Sequence, residues 1–172
     1  MQLRRLIFPL ALVCSPVVFG ANDGTLGSTS TGDTDVSVTI GDLVQVLVEG
    51  DISLTYTPGS NSTGTAGLCI YRNGSSSVDL TLSSANQDAG AFQMISGTDL
   101  LPYAVALSGD DTVGSIASGT GNTLTGANTT SSNCGGAGNF GHDIDVTVQG
   151  TDLDAAPAGT YVDTITILVE PV

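Results

Sequence analysis

The sequence predicts an all-β protein. Apolar residues recur at every second position in short runs, as in Val36/Val38/Ile40, Val78/Leu80/Leu82 and Ile144/Val146/Val148. A pleated strand sends successive side chains to opposite faces, so this period marks strands with one apolar face. Glycine, proline, asparagine and aspartate punctuate the runs, and no stretch longer than about ten residues shows the 3.6-residue period of an amphipathic helix. Seven or eight short strands at such spacing, with essentially no helix, predict an antiparallel β-sandwich of the immunoglobulin type. The single cysteine pair of the exported chain and the lack of tryptophan argue against an antibody-type domain.

The chain opens with Arg4 and Arg5, a short apolar run and small residues near position 20, the pattern of a secretory signal peptide spanning 1–20, cut after Gly20. The apolar run is shorter than the roughly 20 residues a membrane span needs, and Pro9 and Pro16 interrupt it. Cys14 does not read as a lipidation site, because Val13 precedes it where a small residue is expected. The expectation is an exported chain that does not insert in a membrane.

Charge narrows the partners. All seventeen acidic residues follow position 20, lysine is absent, and Arg72 is the sole basic residue after the signal, a formal charge of −16. Nucleic acid requires clustered Lys/Arg to displace its counterions, and anionic membrane surfaces require the same, so both are excluded. The acidity reads first as a means of solubility, suited to a medium whose salt screens self-repulsion. Cys69 and Cys134 remain after cleavage, and an even count in an exported chain reads as one disulfide. It would close a loop of about 66 residues, worth about 4 kcal/mol in the chain-entropy model.

In chain order, residues 21–34 are small and polar and read as a mobile leader before a single sandwich domain over 35–172. Asp35–Ile40 reads as a strand, Gly41-Asp42 as a break, and Leu43–Val48 as a second strand. Ile52–Tyr56 follows as another, ended by Thr57-Pro58-Gly59. Residues 60–67 read as a surface loop and Leu68–Tyr71 as a strand. Asn73-Gly74 is a strong hairpin signal, because type I′ turns need positive φ at both central positions, and the return strand is Val78–Leu82. Phe92–Ile95 and Leu101–Leu107 are strands about a turn at Gly97–Asp99, with Pro102 placing its strand's start at an edge or bulge. Residues 108–139 look least structured, with Val113, Ile116 and Leu124 scattered and Cys134 pinning the region to Leu68–Tyr71. His142–Val148 is a strand, 149–159 a turn-rich connection, and Thr160–Val172 the last strand, with Tyr161, Ile165, Ile167 and Val169 on one face.

Catalytic constellations are missing. His142 is the lone histidine and reads as an exposed or hydrogen-bonded side chain, without a GxSxG motif or a second histidine. Glu49 and Glu170 form no evident acid/base pair. The expectation is a non-enzyme without a cofactor. Asp143, Asp145, Asp152 and Asp154 are the weak candidates for calcium, since hard cations take oxygen clusters; the glycine and closing glutamate of an EF-hand are lacking. Glycosylation sequons at Asn61, Asn73 and Asn128 are expected by chance in so Ser/Thr/Asn-rich a chain.

The segment Ala158–Val172 carries Gly159, Tyr161, Asp163, Ile165 and Ile167 in a Gly-x-Tyr-x-Asp-x-hydrophobic-x-hydrophobic order. Gly97, Thr98, Tyr103 and Val105 form a second motif, and Asp35–Ser60 carries a strand pair followed by a short strand and turn. Together these resemble bacterial chaperone–usher pilins of the archaic and colonisation-factor types, including spore coat protein U-like domains. The resemblance implies an immunoglobulin-like fold lacking one strand, held first by a periplasmic chaperone, passed to an outer-membrane usher, and completed by the N-terminal extension of the next subunit. The physics is β-augmentation. The donor would be Asp33–Ile40, with Val36, Val38 and Ile40 as plugs, in an extracellular fibre with adhesive and biofilm roles. The alternative is a monomeric secreted sandwich module binding carbohydrate or calcium, in which Asp35–Ile40 is simply its first strand.

Overall fold

A computed structural model describes residues 22–136 and 138–172. The proposed signal peptide, its cleavage site and Cys14 lie outside the described residues. The chain divides into two units, 1–40 and 41–172.

In the described part of the first unit, the main chains of Asn22 and Asp33 exchange two hydrogen bonds of 3.2 and 3.0 Å. Asp35–Ile40, expected as a strand, has no ladder partner among the described residues. Its alternating apolar side chains are turned to solvent: Val36 is 93%, Val38 84% and Ile40 78% exposed.

The second unit contains nine strands among the described residues: β1 (Val44–Val48), β2 (Ser62–Arg72), β3 (Val78–Ser84), β4 (Phe92–Ser96), β5 (Asp99–Gly109), β6 (Val113–Ile116), β7 (Thr120–Leu124), β8 (Gly141–Val148) and β9 (Ile165–Pro171). They form two antiparallel sheets. One runs β1-β2-β8-β5-β4 with β6 also beside β5, and the other runs β7-β3-β9. The fold is an all-β sandwich.

Period-2 alternation builds the core. Leu68 and Ile70 of β2, Val105 and Leu107 of β5, and Ile144, Val146 and Val148 of β8 face Val78, Leu80 and Leu82 of β3. Each such side chain contributes about 2 kcal/mol by leaving water. Phe92 packs on Tyr103 with ring centroids 5.5 Å apart. The β4–β5 hairpin turns where expected, with Gly97 at φ +64° and Ser96 opposite Asp99. Pro102 lies in the half of β5 that pairs with β4 alone, where a missing N–H leaves no second ladder short of a donor.

Several expectations are corrected. Residues 62–67 are strand, not loop: they extend β2 and pair with β8 from Ser62↔Val148 to Gly67↔Asp143. Their small size is a packing requirement. A Cβ on Gly64 would lie 2.5 Å from Ile52 Cγ2, and one on Gly67 within 2.7 Å of the Phe140 ring. Asn73-Gly74 joins no hairpin, because β2 and β3 belong to different sheets. It is a corner between them: Gly74 takes φ +88°, while the Asn73 side chain accepts from the Leu43 N–H (2.6 Å) and donates to the Gly41 carbonyl (2.9 Å). Ile52–Tyr56 is in no ladder. Within 108–139, β6 and β7 are ordered strands that bury Ile116 and Leu124. The connection after β8 contains a helix, α1 (Gly150–Ala155), whose Gly150 N–H is received by the Asn61 side chain at 2.9 Å. The last strand starts at Ile165, so Tyr161 precedes it.

Candidate functional site

The site follows from where the ladders stop. β1 pairs with β2 from Val44↔Arg72 to Val48↔Leu68, and one further bond runs from the Glu49 N–H to the Gly67 carbonyl at 2.9 Å. Beyond it the chain peels off β2. Residues 50–55 pass beside it without a ladder, held by Ile52 and Leu54 over Gly64 and by the Ser62 hydroxyl, which donates to the Thr55 carbonyl at 2.9 Å. In the other sheet, β9 pairs with β3 from Ile165↔Ser84 to Pro171↔Val78, and its outer edge has no strand partner among the described residues. Ile165, Ile167 and Val169 point inward yet stay only half-buried, while Leu80 and Leu82 on the neighbouring strand are fully buried.

Between these two rims lies a groove of about 800 Å³. Ile52 and Leu54 line one side, Ile165 and Ile167 the other, and Ala66, Ile144, Val146, Met94 and Tyr103 form the floor. Both rims carry backbone donors and acceptors without a ladder. The floor between them is largely apolar, while Asp51, Ser53, Asp163 and Thr164 line the rims. Unpaired edges of this kind template the addition of a strand.

The motif ahead of β9 builds the groove's end wall. Ser96 Oγ would lie 2.4 Å and Ser96 Cβ 3.3 Å from a Cβ on Gly159, so a side chain here would have to displace Ser96. The Tyr161 hydroxyl donates to the Pro157 carbonyl at 2.9 Å. Val162 exchanges two main-chain bonds with Ile95, 2.9 and 3.1 Å, tying this segment to β4. Asp163 then receives the Tyr103 hydroxyl (2.5 Å) and the Ser84 hydroxyl (2.5 Å) on Oδ2, and the Asn86 amide (2.9 Å) on Oδ1. Burial, and after it the bond to this carboxylate, push the Tyr103 phenol far above its ordinary range and keep it a donor.

The sequence-predicted site residues are placed as follows. Cys69 and Cys134 are disulfide-bonded with Cα atoms 5.9 Å apart, on the face of β2 away from the core. The main chain beside them is fastened too: Asn128 exchanges bonds with Ile70 (2.8 Å) and Arg72 (3.0 Å). Asp145 accepts from Thr65 (2.9 Å) and Ser108 (2.6 Å), and Asp154 from the Tyr56 hydroxyl (2.8 Å) and the Gly59 N–H (3.1 Å). Asp143 shares the outward face of β8 with Asp145, and Asp152 lies in the first turn of α1. Among the described residues no three His, Cys, Asp or Glu side chains gather as a metal-binding group.

His142 is not exposed. It is 2% accessible and its Nε2 lies 3.2 Å from Asp111 Oδ2. Burial disfavours the Asp111 anion, but the Gly126 N–H, His142 and Thr125 donate to it and hold its carboxyl below the usual range. Alternation held the clue, since His142 has the parity of Ile144, Val146 and Val148. Arg72 went unassigned in the sequence. It is 6% exposed, pairs with Asp42 at 3.0 Å, and donates to the carbonyls of Val172 (2.8 Å) and Ser77.

No protein-family model and no curated protein matches the sequence. Among solved structures, the chain is similar to one from a chaperone–tip adhesin complex in the biogenesis of CFA/I fimbriae. The TM-score is 0.54 and the identity 18%, over 74% of this chain and 42% of the other. The chain thus spans less than half of that neighbour's length. It shares its sandwich fold with a chain of a fimbrial chaperone–adhesin complex.

Proposed function

We propose that this protein is a structural subunit of a bacterial surface fibre, a pilin that polymerises by donating residues 33–40 to the groove of the next copy. The observation that carries the reading is the complementarity of two features of one chain. The groove has a largely apolar floor, Ile52, Leu54, Ile165 and Ile167 on its sides, and two unpaired backbone edges. Val36, Val38 and Ile40 alternate on a segment that has no ladder partner and leaves all three exposed. Insertion would add a strand between β9 and residues 50–55, satisfy both edges, and bury three plugs worth about 2 kcal/mol each. Eight residues span about 26 Å as a strand, enough to cover the seven residues of β9. The role is structural and non-catalytic. Export through the periplasm, passage from a chaperone to an outer-membrane usher, and an adhesive extracellular fibre belong to the same reading. The likeness to a fimbrial complex supports it at the level of fold.

The test is periplasmic expression followed by size-exclusion chromatography and unboiled SDS gels. The full chain is expected to form SDS-resistant ladders or to depend on a chaperone. A chain without residues 21–40 should be a folded monomer that forms no ladders. A full-length chain that is a stable monomer without a chaperone overturns the proposal in favour of a self-contained secreted module. Outright unfolding of the deleted form would mark 35–40 as the domain's own first strand.

A further inference from the structure

The donor and the groove carry charge of the same sign. Residues 33–40 hold Asp33 and Asp35 beside the plugs. Asp51 and Asp163 line the groove itself, and Glu49 stands at the point where the chain peels off β2. Arg72 is the only lysine or arginine among the described residues, and it is buried and committed to Asp42, Ser77 and Val172. The lone histidine is buried against Asp111. No exposed cation is therefore left, among the described residues, to pair with an incoming carboxylate. Each copy approaching another brings like charge to like charge, and only the apolar plugs and the backbone ladder favour union.

We infer that the groove discriminates between donors by charge: it disfavours the chain's own acidic donor at low ionic strength, accepts it once salt screens the repulsion, and prefers an apolar donor strand with neutral or cationic flanks. The inference rests on the donor-strand reading above. Screening decides it because the Debye length falls from about 30 Å at 0.01 M to about 3 Å at 1 M salt. At low salt the whole acidic surface repels the donor, whereas at high salt only carboxylates in near contact do. Electrostatic fields change association rates by about tenfold or more, and here the sign is unfavourable.

The experiment uses the full chain and two end-capped, fluorescent peptides, one with the sequence of residues 33–40 and one carrying Asp33→Asn and Asp35→Asn. Association is followed by fluorescence anisotropy from 20 to 500 mM NaCl. The native peptide is expected to associate about tenfold faster at the high end. The neutralised peptide should be faster at 20 mM and change much less with salt, which separates screening from a general salting-out of apolar surface. Asp51→Asn in the protein should raise the low-salt rate of the native peptide. Binding of both peptides at equal rates, or with equal salt slopes, overturns the charge inference and leaves strand donation standing. No binding of either peptide at any salt, measured on freshly refolded chain that has not yet formed ladders, overturns both.

Discussion

The Tyr103 hydroxyl donates to Asp163 Oδ2 across 2.5 Å, joining the centre of β5 to the segment that leads into β9. The bond crosses from one sheet to the other at the end of the groove. The same carboxylate takes Ser84 and Asn86, so it gathers three donors from around β3 and β5. Asp163→Ala would strand all three and is expected to cost about 3 kcal/mol, whereas Tyr103→Phe leaves the carboxylate two of its donors and should cost less, about 1.5 kcal/mol. Urea unfolding gives both values. Because Asp163 fixes the rim, Asp163→Ala should also weaken peptide binding to the groove at high salt, where its charge is screened; equal losses of stability in the two variants would count against the shared-acceptor role.

Gly64 sets how closely residues 50–55 lie on β2. The atoms a methyl group would strike are the ends of the flexible Ile52 and Leu54 side chains, at 2.5 and 2.8 Å. Gly64→Ala is thus expected to shift that rim at a modest cost, about 1 kcal/mol. The larger effect should fall on strand donation, visible as a weaker ladder on unboiled gels. Unchanged ladders would show that the position of this rim is immaterial to assembly.

Arg72 holds Asp42 and the carbonyls of Ser77 and Val172 to one point. Arg72→Ala leaves these acceptors without their donor and is expected to cost about 3 kcal/mol. Asp42→Asn keeps a hydrogen-bond acceptor at an exposed position and should cost less than about 1 kcal/mol. Thermal unfolding of the two variants checks the order, and a larger loss from Asp42→Asn would contradict it.

Stability should fall in acid through Asp111. Its carboxyl is held below the ordinary value in the folded chain, so its contribution is complete above the unfolded pKa of about 3.9. It is lost as pH falls through the lower folded value. Asp111→Asn, destabilised at neutral pH, should lose less between pH 5 and pH 2 than the parent. Parallel stability curves for the two would exclude Asp111 as a source of acid sensitivity.

Alternation located β3, β5, β8 and the inward face of β9, and short apolar runs located β1 and β4, because both patterns are local properties of the chain. The disulfide was legible because, once Cys14 is read as part of the signal, Cys69 and Cys134 leave one pairing. The rim motif Gly159–Asp163 was visible as a pattern, although its purpose, clearance at Ser96 and a shared acceptor for Tyr103, lay in residues far along the chain. Other elements depend on partners that no local window contains. Ser62–Gly67 looks like a loop because its residues are small and polar, yet β8 lies beside it and Ile52 and Phe140 need the space. Asn73-Gly74 looks like a hairpin, but β2 and β3 already have neighbours in different sheets. Ile52–Tyr56 looks like a strand and lacks only the partner to make it one. The sequence by itself determined an all-β sandwich with a cysteine bridge and an alternating apolar segment at 35–40. Only the tertiary structure decided which edges stay unpaired, and hence where the groove lies, because ladder bonds form between residues distant in sequence and local pattern does not encode which neighbour is absent.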